Sequence, residues 1–112
     1  MFVEEKAVGE SVPVKVGMLK MSAAMRIGAV MRPQCTGEWF FDGRSCALGA
    51  AFEGAGRMNE VLSYKRETEA WPYSQVAEVF GVHYLITDQV YKRNDRGETR
   101  ESIADWLESQ GL

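Results

Sequence analysis

The chain has 112 residues, a hydrophobic fraction of 46% and a formal charge of −3. That length fits one domain, and that apolar content supports one packed core without disulfide staples. The acidic balance excludes a whole-protein positive field that would draw in nucleic acid or anionic lipid.

In chain order, residues 1–11 (MFVEEKAVGES) are polar and contain glycine. They predict a flexible N-terminal arm ahead of a single helical domain over residues 12–112. The arm lacks the basic start and apolar centre of a signal peptide, so a cytoplasmic protein is expected. Val12, Val14 and Val16 alternate, which predicts a short extended entry confined to an edge by Pro13. Met18 to Met31 reads as a helix. Leu19, Ala23, Ile27 and Val30 line one face, and Met18, Met21 and Met25 cover the next, so the helix is expected to be central and touched from two sides. Lys15, Lys20 and Arg26 interrupt the apolar run from Val14 to Met31, so it does not predict a membrane span.

Arg32 to Gly56 is the most constrained stretch. Pro33 ends the preceding helix, because the residue before a proline is pushed out of the α region. Trp39, Phe40 and Phe41 are three successive aromatics in a loop, followed by an Asp42-Gly43 turn. Neighbouring side chains diverge, so the three rings cannot all face one core. Two readings are open: at least one ring is exposed as the rim of a recognition surface, or two face the core and the third covers the Cys46 helix with no patch left over. Ser45 is a candidate N-cap for a helix starting at Cys46. That helix carries Gly49 and Gly54 in its interior, at a cost of about 1 kcal/mol each against alanine. The small face Cys46, Gly49, Ala50 and Gly54 therefore predicts another backbone passing close by.

Met58, Val61, Leu62 and Lys65 fit a short amphipathic helix. Trp71-Pro72 marks a break, with Ser74 as a candidate cap. Ser74 to Tyr91 is divided or bent at Gly81. Asn94 to Gly97 forms a turn, Thr99 caps a last helix, and Ile103, Trp106 and Leu107 form its buried face. The fold expected is mainly α, a compact bundle of four to five helices.

The clearest functional pattern is SQVAEVFGVHYLITDQVYKRN, residues 74–94. It resembles a helix-turn-helix unit, with small Ala77 and Gly81 at the crossing, apolar Val76, Phe80 and Val82 around it, and a second helix from His83. Over residues 74–96 the candidate DNA contacts are Lys92, Arg93 and Arg96. Thr87 stands where an apolar anchor is usual, and Asp88 would bring a negative charge near the phosphates. A plain αα-hairpin is the competing reading.

Cys35 and Cys46 are expected to be reduced. With the single His83 they do not make a tetrahedral zinc site, so neither metal nor cofactor is expected. A Cys46–His83 dyad would be the only nucleophilic arrangement. Cys46 in an alanine-rich helix reads more simply as a small core residue, and a helix start would act to lower its pKa. No carboxylate pair is singled out as an acid–base couple, so no catalytic residue is named and a non-enzymatic protein is expected.

Two stretches, residues 27–56 (IGAVMRPQCTGEWFFDGRSCALGAAFEGAG) and residues 94–108 (NDRGETRESIADWLE), resemble a family of small uncharacterised bacterial and phage proteins. The resemblance covers about two-fifths of the chain and implies a phage or accessory origin without implying an activity. Some members of that family place a cysteine pair in the middle region; this chain has none there, so no metal site is implied. Gln34 and Arg100, which the matching stretches contain, show no structural job in the sequence. Gln34, Trp39, Phe40, Phe41 and Arg100 are therefore the candidate partner-binding residues. The expectation is a module that binds another protein, with a homodimer also open, nucleic acid as the alternative partner and no membrane.

Overall fold

The computed structural model describes residues 19–112. The expected N-terminal arm and the alternating valines lie outside the described residues.

Helix α1 spans Met21–Ala29. It buries Met21, Ser22, Ala24, Met25 and Gly28, the i, i+3, i+4, i+7 set with one neighbour. Leu19, Ile27, Val30 and Met31 are left exposed. Among the described residues the helices over Ala47–Gly54 and Arg100–Ser109 both pack on it, as expected of a helix touched from two sides, but the Leu19, Ile27 and Val30 face is not among the covered ones. The chain then turns through Pro33 into a small hairpin, β1 (Phe40–Phe41) and β2 (Arg44–Ser45), paired antiparallel with Phe40 opposite Ser45 and Phe41 opposite Arg44. Asp42 and Gly43 both have positive φ, 51° and 72°, which is what a two-residue hairpin loop of matching twist requires. Gln34 adds an isolated parallel bridge to Ser45.

Helix α2 spans Ala47–Gly54, with Ala47 to Phe52 all buried. Its N-cap is Cys46, whose Sγ accepts the Gly49 N–H at 3.4 Å. Ser45, the expected cap, is instead the last strand residue and receives a bond from Arg100. The close approach expected of the small-residue helix is present. A Cβ built at Gly54 would collide with the carbonyl of Ala24, one at Gly28 with the carbonyl of Ala50, and one at Gly49 with the carbonyl of Trp39. The α1–α2 backbones touch because both helices present glycine at the crossing, a contact a side chain would hold apart.

Helix α3 spans Met58–Thr68 and buries only Val61 completely, ending at Glu69 in the left-handed region. Helix α4 spans Tyr73–Phe80 and starts after Pro72, with Ser74 already inside it. Helix α5 spans Tyr84–Asp95 and is capped by His83, whose ring nitrogen accepts the Leu85 N–H at 3.1 Å. Helix α6 spans Arg100–Ser109, and Thr99 caps it through the Ser102 N–H as expected. It packs against α1, where Arg26 pairs with Asp105 and Glu108, and Ser22 donates to the carbonyl of Leu112. The described residues thus hold six helices, one more than the upper end of the expected range, because the chain at Gly81 separates two helices rather than bending one.

Candidate functional site

Each of the five residues selected from sequence has a definite place. Trp39 is 1% exposed and is the largest buried side chain. Its ring stacks on Trp71 at 5.9 Å and an interplanar angle of 1°, meets Phe52 at 5.3 Å, and meets Tyr73 edge-on at 5.3 Å. It therefore offers no surface to a partner. Phe40 is half-buried against Trp71, and Phe41 alone of the three is exposed, at 63%.

Gln34 and Arg100 both have structural work, contrary to the sequence reading. Gln34 donates to the Asn94 side-chain oxygen and to the Glu98 carbonyl, both at 2.8 Å. The same Asn94 oxygen accepts the Ala47 N–H at 2.9 Å, and the Asn94 amide donates to the Cys35 carbonyl at 3.0 Å. Asn94 is 1% exposed, so one buried amide joins the end of α5 to the start of α2 and to the loop. Arg100 is buried and donates to the Ser45 hydroxyl at 2.8 Å, the Ser45 carbonyl at 3.3 Å, and the carbonyls of Ala29 and Arg32 at 3.2 and 2.8 Å. Burial lowers its pKa from the usual arginine value. Two of its acceptors lie at and beyond the end of α1, where unpaired carbonyls favour a cation.

The three basic residues of the helix-turn-helix reading are mostly engaged within the chain. Lys92 pairs with Asp88 at 2.9 Å, one turn away. Arg93 pairs with Glu98 at 3.1 Å and lies over the Trp106 ring at 4.3 Å. Arg96 is exposed just past the end of α5.

The nucleophilic arrangement does not form. Cys46 is buried, and its Sγ accepts the Gly49 N–H rather than any bond from His83, which is exposed and caps α5. Burial pushes the Cys46 thiol up to about 12, outweighing the helix start that the sequence reading expected to lower it. A thiol so held is protonated at neutral pH and is a poor nucleophile. Burial raises the Cys35 thiol as well. Among the described residues no three His, Cys, Asp or Glu side chains gather as metal ligands, and no helix is long and apolar enough to cross a membrane.

A concavity lies elsewhere on the described residues. A cleft of about 560 Å³ opens between the start of α4 and one face of α5. Tyr73 and Ser74 come from the first turn of α4; Tyr84, Thr87, Asp88 and Tyr91 come from α5 at i, i+3, i+4, i+7 spacing. Tyr73 and Tyr91 meet at 5.5 Å and 79°, so their rings form two walls rather than a stack. Tyr73 is held from behind by Trp39, and burial raises its phenol pKa. Thr87 is 7% exposed, and its hydroxyl has no hydrogen-bond partner among the described residues. A buried hydroxyl left so costs roughly 1–3 kcal/mol unless something completes it.

The sequence reading missed this cleft. The signal was present: three of the chain's four tyrosines line it, and two of them fall seven residues apart on α5. Thr87 was noted only as a departure from a DNA-binding pattern, although a polar residue at a core-facing position is also the mark of a site.

By its fold the molecule is a small, mainly helical globule. Compared with known proteins, the chain matches no family model, no curated protein and no solved structure. Its function is therefore read from its own geometry.

Proposed function

We propose that the protein is a binding module whose recognition surface is the α4–α5 cleft, with a peptide segment of another protein as its ligand. The observation that carries this reading is the set of three part-exposed tyrosines around the buried, unpartnered hydroxyl of Thr87. Tyrosine supplies large contact area at little entropic cost and a polar tip for peptide groups, which is why it is enriched where proteins meet. Two walls set nearly at right angles suit an inserted side chain better than a flat contact. The aromatic loop serves this surface indirectly: Trp39, packed in the core, fixes the ring of Tyr73. The reading thus moves the recognition surface from Gln34, Trp39 and Arg100 to the cleft, because those three are already engaged inside the fold.

The test is selection of peptides from a random display library on the purified full chain, followed by mapping of each selected peptide by amide chemical-shift perturbation. Peptides that shift Tyr84, Thr87 and Tyr91, and lose binding in a folded Tyr91→Ala variant, support the proposal. Selected peptides that map to another surface, or bind Tyr91→Ala unchanged, refute it.

A further inference from the structure

We propose that the cleft receives an alkylammonium group, the side chain of a lysine or methylated lysine in the bound peptide; this rests on the reading of the cleft as a peptide-binding surface. The argument starts from ring orientation. An aromatic face carries the negative part of the ring quadrupole and attracts a cation placed over it. Tyr73 and Tyr91 meet edge to face at 79° with centroids 5.5 Å apart, so the edge of one ring takes one face of the other and the pair forms a corner rather than a stack. Tyr84 is 67% exposed and lies on the same face of α5. Three electron-rich rings around one space is the arrangement that recognises ammonium ions of low hydration.

The charges agree. Asp88 is the one acidic side chain among the described lining residues. It already holds one alkylammonium, that of Lys92 at 2.9 Å, across a pair whose partners are 43% and 55% exposed. Such surface pairs are weak and exchange readily, so a second ammonium can take the carboxylate at small cost. The Thr87 hydroxyl is buried beneath this surface without a partner among the described residues, so a shift of the lining side chains that admits an ammonium N–H would complete it. The opposing features are Lys92, a like charge at the same carboxylate, and the start of α4 at Tyr73 and Ser74, which favours negative charge. The latter is a partial charge confined to one turn, set against a full carboxylate, and the chain as a whole carries −3.

The experiment follows amide shifts of the full chain on titration with four probes: N-acetyl-lysine methylamide, its trimethylated form, the neutral analogue with a tert-butyl group in place of trimethylammonium, and N-acetyl-glutamate methylamide. The two cations should shift Tyr84, Thr87, Asp88 and Tyr91, with the neutral analogue binding at least about fivefold more weakly. Tighter binding of the trimethylated probe assigns methyl-lysine, and tighter binding of the unmethylated probe assigns lysine; either supports the proposal. Asp88→Asn, a change at a part-exposed position, should weaken both cations several-fold while leaving the neutral analogue unchanged. Equal binding of the neutral analogue, tighter binding of the glutamate probe, or cation shifts confined to other residues would each overturn it. The two readings separate in the peptide selection: cleft-bound peptides without a basic residue sink the cation and leave the binding module standing, whereas peptides mapping elsewhere sink both.

Discussion

Cys46 shows how one side chain reports on its surroundings. Its thiol sits in the core as the N-cap of α2, and burial raises its pKa from the ordinary 9.0 to about 12. A proton held more tightly in the folded state than in the unfolded one stabilises the fold. That contribution is fully present below the unfolded pKa and is lost as pH rises through the folded one. The protein should therefore lose stability between pH 9.0 and about 12, by an amount on the order of a few kcal/mol from this group. Urea unfolding of the wild type and of Cys46→Ala at either end of that window measures it, since lysines and tyrosines titrate alike in both. The wild type should decline more steeply; parallel declines would show that the thiol is not so held. At this scale the sequence was legible where a residue's role is local. Thr99 as a cap and Asp42-Gly43 as a turn depend on near neighbours, and both stand in the structure. Gln34 and Arg100 were misread because their partners, Asn94 and Ser45, lie 60 and 55 residues away. Hydrogen bonding at that separation has no sequence period to announce it.

Among the elements, α1 and α2 decide the architecture, and side-chain size decides how they meet. Hydropathy offers two faces of α1 for burial; the structure buries the one bearing Met21 and Met25, with Ala24 and Gly28, and leaves Leu19, Ile27 and Val30 exposed. The reason lies in the crossing: Gly28 lies against the backbone of Ala50, and Gly54 against the backbone of Ala24 and the Gly28 nitrogen. Only that face lets the two backbones approach, and the closeness gained outweighs the larger apolar side chains left on the other side. The two glycines of α2 make the close approach legible, whereas Gly28, the partner glycine in α1, stands alone in its helix, so the sequence could not choose the methionine face over the Leu19, Ile27 and Val30 face. In an open helix, glycine to alanine gains about 1 kcal/mol. At this crossing the sign should reverse, because the new methyl meets backbone and not the movable end of a side chain. Gly28→Ala and Gly54→Ala should each destabilise by roughly 1–3 kcal/mol or more. The double variant should cost less than the sum, since helices already forced apart by one methyl accommodate the second. Denaturant unfolding of the three variants checks both statements; a stabilised Gly28→Ala would show that the crossing is looser than described.

For the molecule as a whole, the distribution of charge bears on the oldest question its sequence raises, whether the α4–α5 hairpin reads DNA. The helical pattern was legible because Gly81 stops one helix in the left-handed region and His83 caps the next. What such a hairpin does depends on which side chains its second helix presents at the leading end, since a recognition helix meets base edges through its N-terminal residues. Here that end carries His83, Tyr84, Leu85 and then Asp88. The basic residues stand at the opposite end, where Lys92 is paired with Asp88 and Arg93 with Glu98 and Trp106. Each phosphate contact made by Lys92 or Arg93 would first have to break one of those pairs. The net charge of −3 adds repulsion at long range instead of steering. Non-specific duplex binding arises almost wholly from counterion release by phosphate-neutralising lysines and arginines, with a slope of about −0.9 per phosphate in a log–log salt plot. Arg93 is held by Glu98 and Trp106, Asp88 sets a carboxylate beside Lys92, and the chain is net acidic, so that source is small. Duplex DNA should therefore show no mobility shift with the purified chain even at low salt, and Asp88→Asn, which frees Lys92 and removes one negative charge, should bring at most weak, salt-sensitive binding. A clear shift with the wild type, whose salt slope falls when Lys92 and Arg93 are changed to alanine, would reverse this conclusion and make the hairpin a DNA reader.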